Sequence, residues 1–133
     1  MNMKKILLDT NFLLIPVQFK VDIFSEIERI CNFNYKLFVL DKIIEELKGI
    51  IQHQKGKDKD AAKLALKLIA LKGINIIKTE KNITTDTTII DTAKKGFIVA
   101  TQDKDLKKRL KAESISLIIL RQKKYLTLTE GLR

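Results

Sequence analysis

At 133 residues, with 45% apolar and 32% charged side chains, the chain has the balance of one folded domain, which argues against disorder and against two ordinary domains. Its net charge of +10 is spread over several segments and suits a polyanionic partner, nucleic acid before an acidic membrane surface. The single cysteine, Cys31, excludes an internal disulfide. No apolar stretch approaches a membrane span, and Met1 to Leu8 lacks a signal-peptide pattern, so a cytoplasmic protein with no membrane partner is expected.

The first strand is expected over Lys4 to Leu8. It stops at a carboxylate, Asp9, in the run ILLDTNFLL, after which Pro16 suggests a loop or an extended connection. Asp22 can cap a helix running to Cys31, with Ile23, Phe24, Ile27 and Ile30 at helical spacing and Cys31 as core filler. Lys36 to Leu40 reads as the second strand, and Asp41 caps a helix to about His53. A polar loop, QHQKGKDKD, separates it from a helix between Asp60 and Lys72, which Gly73 ends. The third strand is Ile74 to Lys78. Thr84 or Thr85 caps a helix to Lys95, and Gly96 stops it. Phe97 to Ala100 is the fourth strand, Asp103 to Ala112 a strongly basic helix, and Ser116 to Leu120 the fifth strand. The basic tail, 121–133, alternates weakly through Tyr125, Leu126 and Leu128, as an edge strand would. Strands alternating with helices of this length predict an α/β/α sandwich around a mostly parallel five-stranded sheet, as one domain over 1–133.

In such sheets the functional crevice lies beyond the carboxyl ends of the strands, so Asp9 and Asp103, each following a strand, point towards it. Two helical acids join them by their facing, since a helix turns about 100° per residue. Glu46 falls on the flank of the stripe Ile43, Leu47, Ile50 and Ile51, whereas Glu45 points away as a solvated charge. Asp86 shares the side of Ile89 and Ala93, whereas Asp91 faces out. Asp86 and Asp103 also sit where helices accept capping acids, but capping does not require an inward position. Burying a carboxylate is unfavourable without a cation or donors, and crowded carboxylates call for a counter-charge. With no His or Cys cluster at hand, an all-oxygen site selects Mg²⁺ or Mn²⁺, one ion or two. The lone His53 is expected in a polar loop outside that site.

Together, LLDTN at Leu7 to Asn11, EEL at Glu45 to Leu47, the Asp86 to Ile89 segment and ATQD at Ala100 to Asp103 resemble the PIN-domain ribonucleases. The resemblance covers almost the whole chain. It implies a Mg²⁺- or Mn²⁺-dependent endoribonuclease that cuts single-stranded RNA, leaving 5′ phosphate and 3′ hydroxyl ends. Its metal-binding acids fall on Asp9, Glu46, Asp86 and Asp103. Asn11 and Thr101 match polar positions that hold the acids or the attacking water, and Asp105 is placed at the rim. Thr87, Thr88 and Gln102 depart from the residues common in relatives.

A closer similarity is to the archaeal relatives of the nucleolar PIN factor that cleaves precursor ribosomal RNA, and it rests on DTNFLLIPVQFKVDIFSEIERI, GKDKDAAKLAL and LRQKKYL. It implies precursor rRNA as partner and a role in ribosome biogenesis. Toxin ribonucleases of toxin-antitoxin modules share the acid pattern, and in that branch an antitoxin protein is the partner. A non-catalytic RNA-binding scaffold is the reading from another class, and a homodimer is compatible with all three. The expected phosphate contacts are Lys104, Lys107, Lys108, Arg109, Lys111, Arg121, Lys123 and Lys124, with the Lys55 to Lys59 loop. Tyr125 or Phe12 can stack on a base if either is exposed, although core packing is the simpler role for each. An aspartyl-phosphate phosphatase needs an acid where Asn11 stands, and a dinucleotide-binding turn needs glycines that DTN lacks.

Overall fold

The structure is a computed structural model that describes residues 3–131. Apolar runs with β-branched residues form the strands: β1 (Lys4–Leu8), β2 (Tyr35–Leu40), β3 (Asn75–Ile77), β4 (Phe97–Ala100), β5 (Leu117–Arg121) and β6 (Tyr125–Thr129). They make one sheet in the order β3-β2-β1-β4-β5-β6, parallel except for β6, which runs antiparallel to β5. The sheet therefore has six strands where five are expected, and the segment read as a basic tail supplies the sixth. Its weak alternation becomes decisive only through the hairpin, in which Lys124 N–H donates to Arg121 C=O at 3.0 Å. The tip places Gln122 and Lys123 in the left-handed region without a glycine. Residues 132 and 133 of that segment lie outside the described residues.

The helices are α1 (Thr10–Leu13), α2 (Ile15–Phe19), α3 (Ile23–Ile30), α4 (Asp41–His53), α5 (Gly56–Leu71), α6 (Thr85–Ala93) and α7 (Lys104–Ala112). Three caps agree with the sequence reading: Asp22 accepts from Phe24 and Ser25 N–H, Thr84 from Thr87 N–H, and Asp103 from Leu106 N–H. Three expectations fail. Asp41 does not cap α4 but is its first residue, and its carboxylate accepts from Lys42 N–H and from Thr79 N–H. Pro16 does not break the chain into a loop, because it occupies the first turn of α2, where a missing N–H loses nothing. The polar loop before the fifth helix is largely helix, since α5 starts at Gly56. Its opening turn is charged and solvent-facing, so an apolar stripe cannot reveal it. His53 accordingly closes α4 instead of lying in a loop. Gly73 and Gly96 end their elements at positive φ, as expected.

The core is continuous across the central strands, where Ile6, Leu7, Leu8, Val99, Leu117 and Ile118 are buried beside Leu40, Leu47, Leu106 and Leu110. Cys31 is buried in it as a free thiol. The α3 helix protects the β6 edge: the Glu26 carboxylate accepts from Leu126 N–H at 2.9 Å, and the Arg29 guanidinium donates to Leu126 C=O at 3.1 Å. Among the described residues no helix is long and apolar enough to cross a membrane.

The chain runs β1 to β2 to β3 towards one edge and then returns to build β4, β5 and β6 on the other side of β1. The strand order thus reverses between β1 and β4. Crevices of open parallel sheets form at such a switch point, beyond the carboxyl ends of the two strands. Asp9 and Thr101 are the residues that leave β1 and β4.

Candidate active site

Asp9 ends β1 and caps α1. Its N–H extends the ladder by donating to Ala100 C=O at 3.0 Å, and its carboxylate accepts from Thr10 N–H at 2.8 Å and from the Thr101 hydroxyl at 2.7 Å. Only 7% of Asp9 is exposed, and Thr101 is fully buried. Burial pushes the Asp9 carboxyl up to about 6. The two hydrogen bonds oppose that rise, and the charges of Glu46 and Asp86 add to it.

The loop after β4 is pinned to the one after β1. Asn11 Oδ1 accepts from Gln102 N–H at 3.0 Å, and the Thr101 hydroxyl oxygen accepts from Asp103 N–H at 3.1 Å. Asn11 and Thr101 therefore tie the segment after β4 to the end of β1. Glu46 projects from the second turn of α4. Its two oxygens accept from the Thr10 hydroxyl at 2.5 Å and the Thr85 hydroxyl at 2.6 Å, which fastens α4 to the starts of α1 and α6. Sequence reasoning missed Thr10 and Thr85 in this role, since a threonine in a helical first turn carries no sign of a partner on another element.

Asp86, in the first turn of α6, is partly buried. Burial raises its carboxyl above the ordinary range, and the charges of Asp103, Glu46 and Asp105 raise it further against the pull of Arg109. Asp86 is thus linked by charge to each of the other three selected acids, and Asp105 is exposed. Glu45 and Asp91 are exposed, as their facing indicates. Among the described residues the ion pairs are Arg29–Glu26 and Lys94–Glu113, so no cation neutralises the four acids at contact distance.

The donor set suits a hard divalent cation, because every group is a carboxylate or neutral oxygen and the negative charge is uncompensated. The acids are not drawn into a ring, however. Among the described residues no three acid, imidazole or thiol side chains stand close enough to enclose a metal ion. Local donors restrain Glu46 between two threonines, Asp103 on Leu106 N–H and Asp9 on Thr101.

The basic residues divide. Lys104, Lys107 and Lys111 recur along α7, and Arg121 ends β5; partial burial, with the charges of Lys111, Arg121 and Lys104, holds the Lys107 ammonium below its usual range, while Asp103 opposes this. Arg109 turns instead towards α6, where it shares a cavity wall with Thr87, Asp91 and Glu113. Lys108, Lys123 and Lys124 are exposed, the last two at the β5–β6 hairpin. Phe12 is fully buried and cannot stack on a base, whereas Tyr125 is 37% exposed. The Lys55 to Lys59 segment is the start of α5.

A doubly wound sheet with acids around its switch point defines the class, and the sequence comparisons agree with it. The family described as PIN like domain matches residues 6–123, and the chain belongs to that family. It is 39% identical over 127 residues to Ribonuclease VapC4 of Methanocaldococcus jannaschii, spanning 92% of this chain and 95% of that protein. It is 31% identical over 118 residues to Ribonuclease VapC9 of Archaeoglobus fulgidus, spanning 87% and 82%. Its fold is similar to that of the PIN domain endonuclease Utp24, with a TM-score of 0.78 at 19% identity over 97% of this chain and 96% of that one. It also resembles a domain of a functionally unknown Methanocaldococcus jannaschii protein, with a TM-score of 0.59 at 16% identity over 89% and 91%.

Proposed function

We propose that the chain is a divalent-metal-dependent endoribonuclease of the toxin type, with RNA as substrate and an antitoxin protein as partner. The observation that carries the reading is a set of four acids, Asp9, Glu46, Asp86 and Asp103, with Asp86 linked by charge to the other three, at the switch point of a PIN domain whose sequence relatives are named ribonucleases. The weight between the two sequence-based readings moves accordingly. Similarity at 39% and 31% identity falls on VapC ribonucleases, the toxin branch, whereas the likeness to Utp24 at 19% identity speaks for the fold alone. Processing of precursor ribosomal RNA is the second reading, and the LRQKKYL segment that suggested it is built into the β5–β6 hairpin.

Asp9, Glu46, Asp86 and Asp103 would hold Mg²⁺ or Mn²⁺. When bound, the ion supplies the positive charge that activates water and neutralises the charge building on the phosphodiester. The chain's own contribution is positioning. Thr101 and Asn11 fix the two strand-end loops, and Thr10 and Thr85 fix Glu46, so the acids stand oriented before substrate arrives. The α7 cations and Arg121 lie on the Asp103 side, where they can hold flanking phosphates.

Induced expression in a bacterial host distinguishes the readings. A toxin arrests growth, Asp9→Asn abolishes the arrest, and co-expression of the adjacent reading frame relieves it. An rRNA-processing enzyme instead cuts precursor ribosomal RNA at a defined position in Mn²⁺, and no adjacent frame alters it. Cleavage of neither cellular nor precursor RNA, with salt-dependent RNA binding retained, would favour the scaffold.

A further inference from the structure

A cavity of about 550 Å³ adjoins the acids between the first turns of α4, the segment after β3 and the start of α6; its walls include Lys42, Glu45, Glu46, Lys81, Ile83 and Thr85. It shares Glu46 and Thr85 with the acid crevice.

Two ties hold its shape. Asp41 accepts from both the N–H and the hydroxyl of Thr79, and the Lys42 ammonium donates to Glu80 C=O, which staples the segment after β3 to α4. Asp41, Lys42 and Glu46 are engaged in this way. Glu45 and Lys81 are exposed and, among the described residues, make no ion pair. Ile83 is 36% exposed and takes no part in the core cluster. The cavity therefore offers a carboxylate, an ammonium and an aliphatic wall, all uncommitted.

That combination selects among the chemical parts of RNA. A carboxylate repels phosphate and presents two acceptors with no donor, whereas an ammonium presents donors only. Guanine is the RNA base whose Watson–Crick edge shows two adjacent donors, N1–H and N2–H, beside an acceptor, O6. Adenine and cytosine place a ring acceptor next to their amino group, and uracil flanks its single N–H with two carbonyls. Against a carboxylate each of those three loses one hydrogen bond and gains a repulsion.

Resting on the ribonuclease reading above, we propose that this cavity is a guanine-binding subsite beside the cleavage position. Glu45 accepts from N1–H and N2–H, Lys81 donates to O6, and Ile83 packs against the ring. The solvated charge of the sequence reading becomes the residue that sets base preference.

Binding in excess chelator tests this without cleavage. The probes are labelled single-stranded RNA octamers: all adenosine, or adenosine with one central guanosine or one central inosine, which lacks the N2 amino group. The wild-type chain should hold the guanosine octamer about tenfold more tightly than the adenosine one, the magnitude of one bidentate base contact, with inosine between them. Glu45→Gln should bind the guanosine and inosine octamers alike, and Glu45→Gln with Lys81→Ala should bind all three alike, both variants unfolding at the wild-type temperature. Equal wild-type affinity for guanosine and adenosine octamers, or a guanosine preference over adenosine that survives in Glu45→Gln with Lys81→Ala, overturns the subsite and leaves the ribonuclease reading standing. Failure to bind any octamer at low salt overturns the subsite, while the ribonuclease reading is overturned separately by absence of RNA cleavage in Mn²⁺.

Discussion

Thr101 and Asp9 are joined by a 2.7 Å hydrogen bond from hydroxyl to carboxylate, and the same hydroxyl oxygen accepts from Asp103 N–H at 3.1 Å. One fully buried side chain thus couples the acid after β1 to the acid after β4. Thr101→Val keeps the shape and removes both links, leaving Asp103 N–H without its partner. Loss of about 1–3 kcal/mol in thermal or denaturant unfolding is expected, together with slower RNA cleavage. Thr101→Ser should restore most of both.

The Asp9 carboxyl is raised from 3.8 to about 6, chiefly by burial, so the folded state binds its proton more tightly than the unfolded chain does. Its contribution favours folding below pH 4 and is lost as pH rises through about 6. The gap corresponds to about 3 kcal/mol at neutral pH, less whatever the hydrogen bonds of the replacement fail to supply. In chelator at pH 7, Asp9→Asn should therefore unfold at a higher temperature than the wild type, and the difference should shrink towards pH 4. Saturating Mn²⁺ should reverse the order, because the wild type alone retains the ligand. Paired melting curves across that pH range check it.

Glu46 is oriented by Thr10 and Thr85 through bonds of 2.5 and 2.6 Å. Replacing either threonine by valine removes one donor and should lower stability by about 1 kcal/mol. The Mn²⁺ concentration for half-maximal cleavage should rise severalfold in each variant and further in the double variant. An unchanged Mn²⁺ requirement would mean that Glu46 needs no such restraint.

Lys107 lies among Lys104, Lys111 and Arg121, which repel its charge. A phosphate there would relieve the repulsion. Lys107→Ala should weaken RNA binding similarly for every sequence and lower the slope of log affinity against log salt by about one. Filter binding at several salt concentrations gives that slope. Lys123→Ala, at the hairpin tip, should change it less.

The fold was readable where burial imposes a period. Strands such as Lys4–Leu8 and Phe97–Ala100 follow from short apolar runs, and the caps Asp22, Thr84 and Asp103 fall where a donor-rich helix start needs an acceptor. The facing of Glu46 against Glu45 and of Asp86 against Asp91 was also legible, because a helix converts spacing into direction. What escaped depends on partners distant in sequence. The first turn of α5 is polar and shows no stripe, and β6 is defined by pairing with β5 more than by its own alternation. The hydroxyls of Thr10 and Thr85 join α1, α4 and α6, and that of Thr101 joins the ends of β1 and β4. The choice between toxin and rRNA-processing branches rests on whole-chain similarity, which three short segments could not decide.

If Asp9, Glu46, Asp86 and Asp103 form one cation-dependent centre for cutting RNA, the rate at which the wild type and Asp9→Asn cleave labelled single-stranded RNA in Mn²⁺ will show it. The wild type should generate fragments with 5′ phosphate and 3′ hydroxyl ends, and Asp9→Asn should fall to the background seen in chelator while remaining folded. Cleavage by folded Asp9→Asn at the wild-type rate would contradict the account.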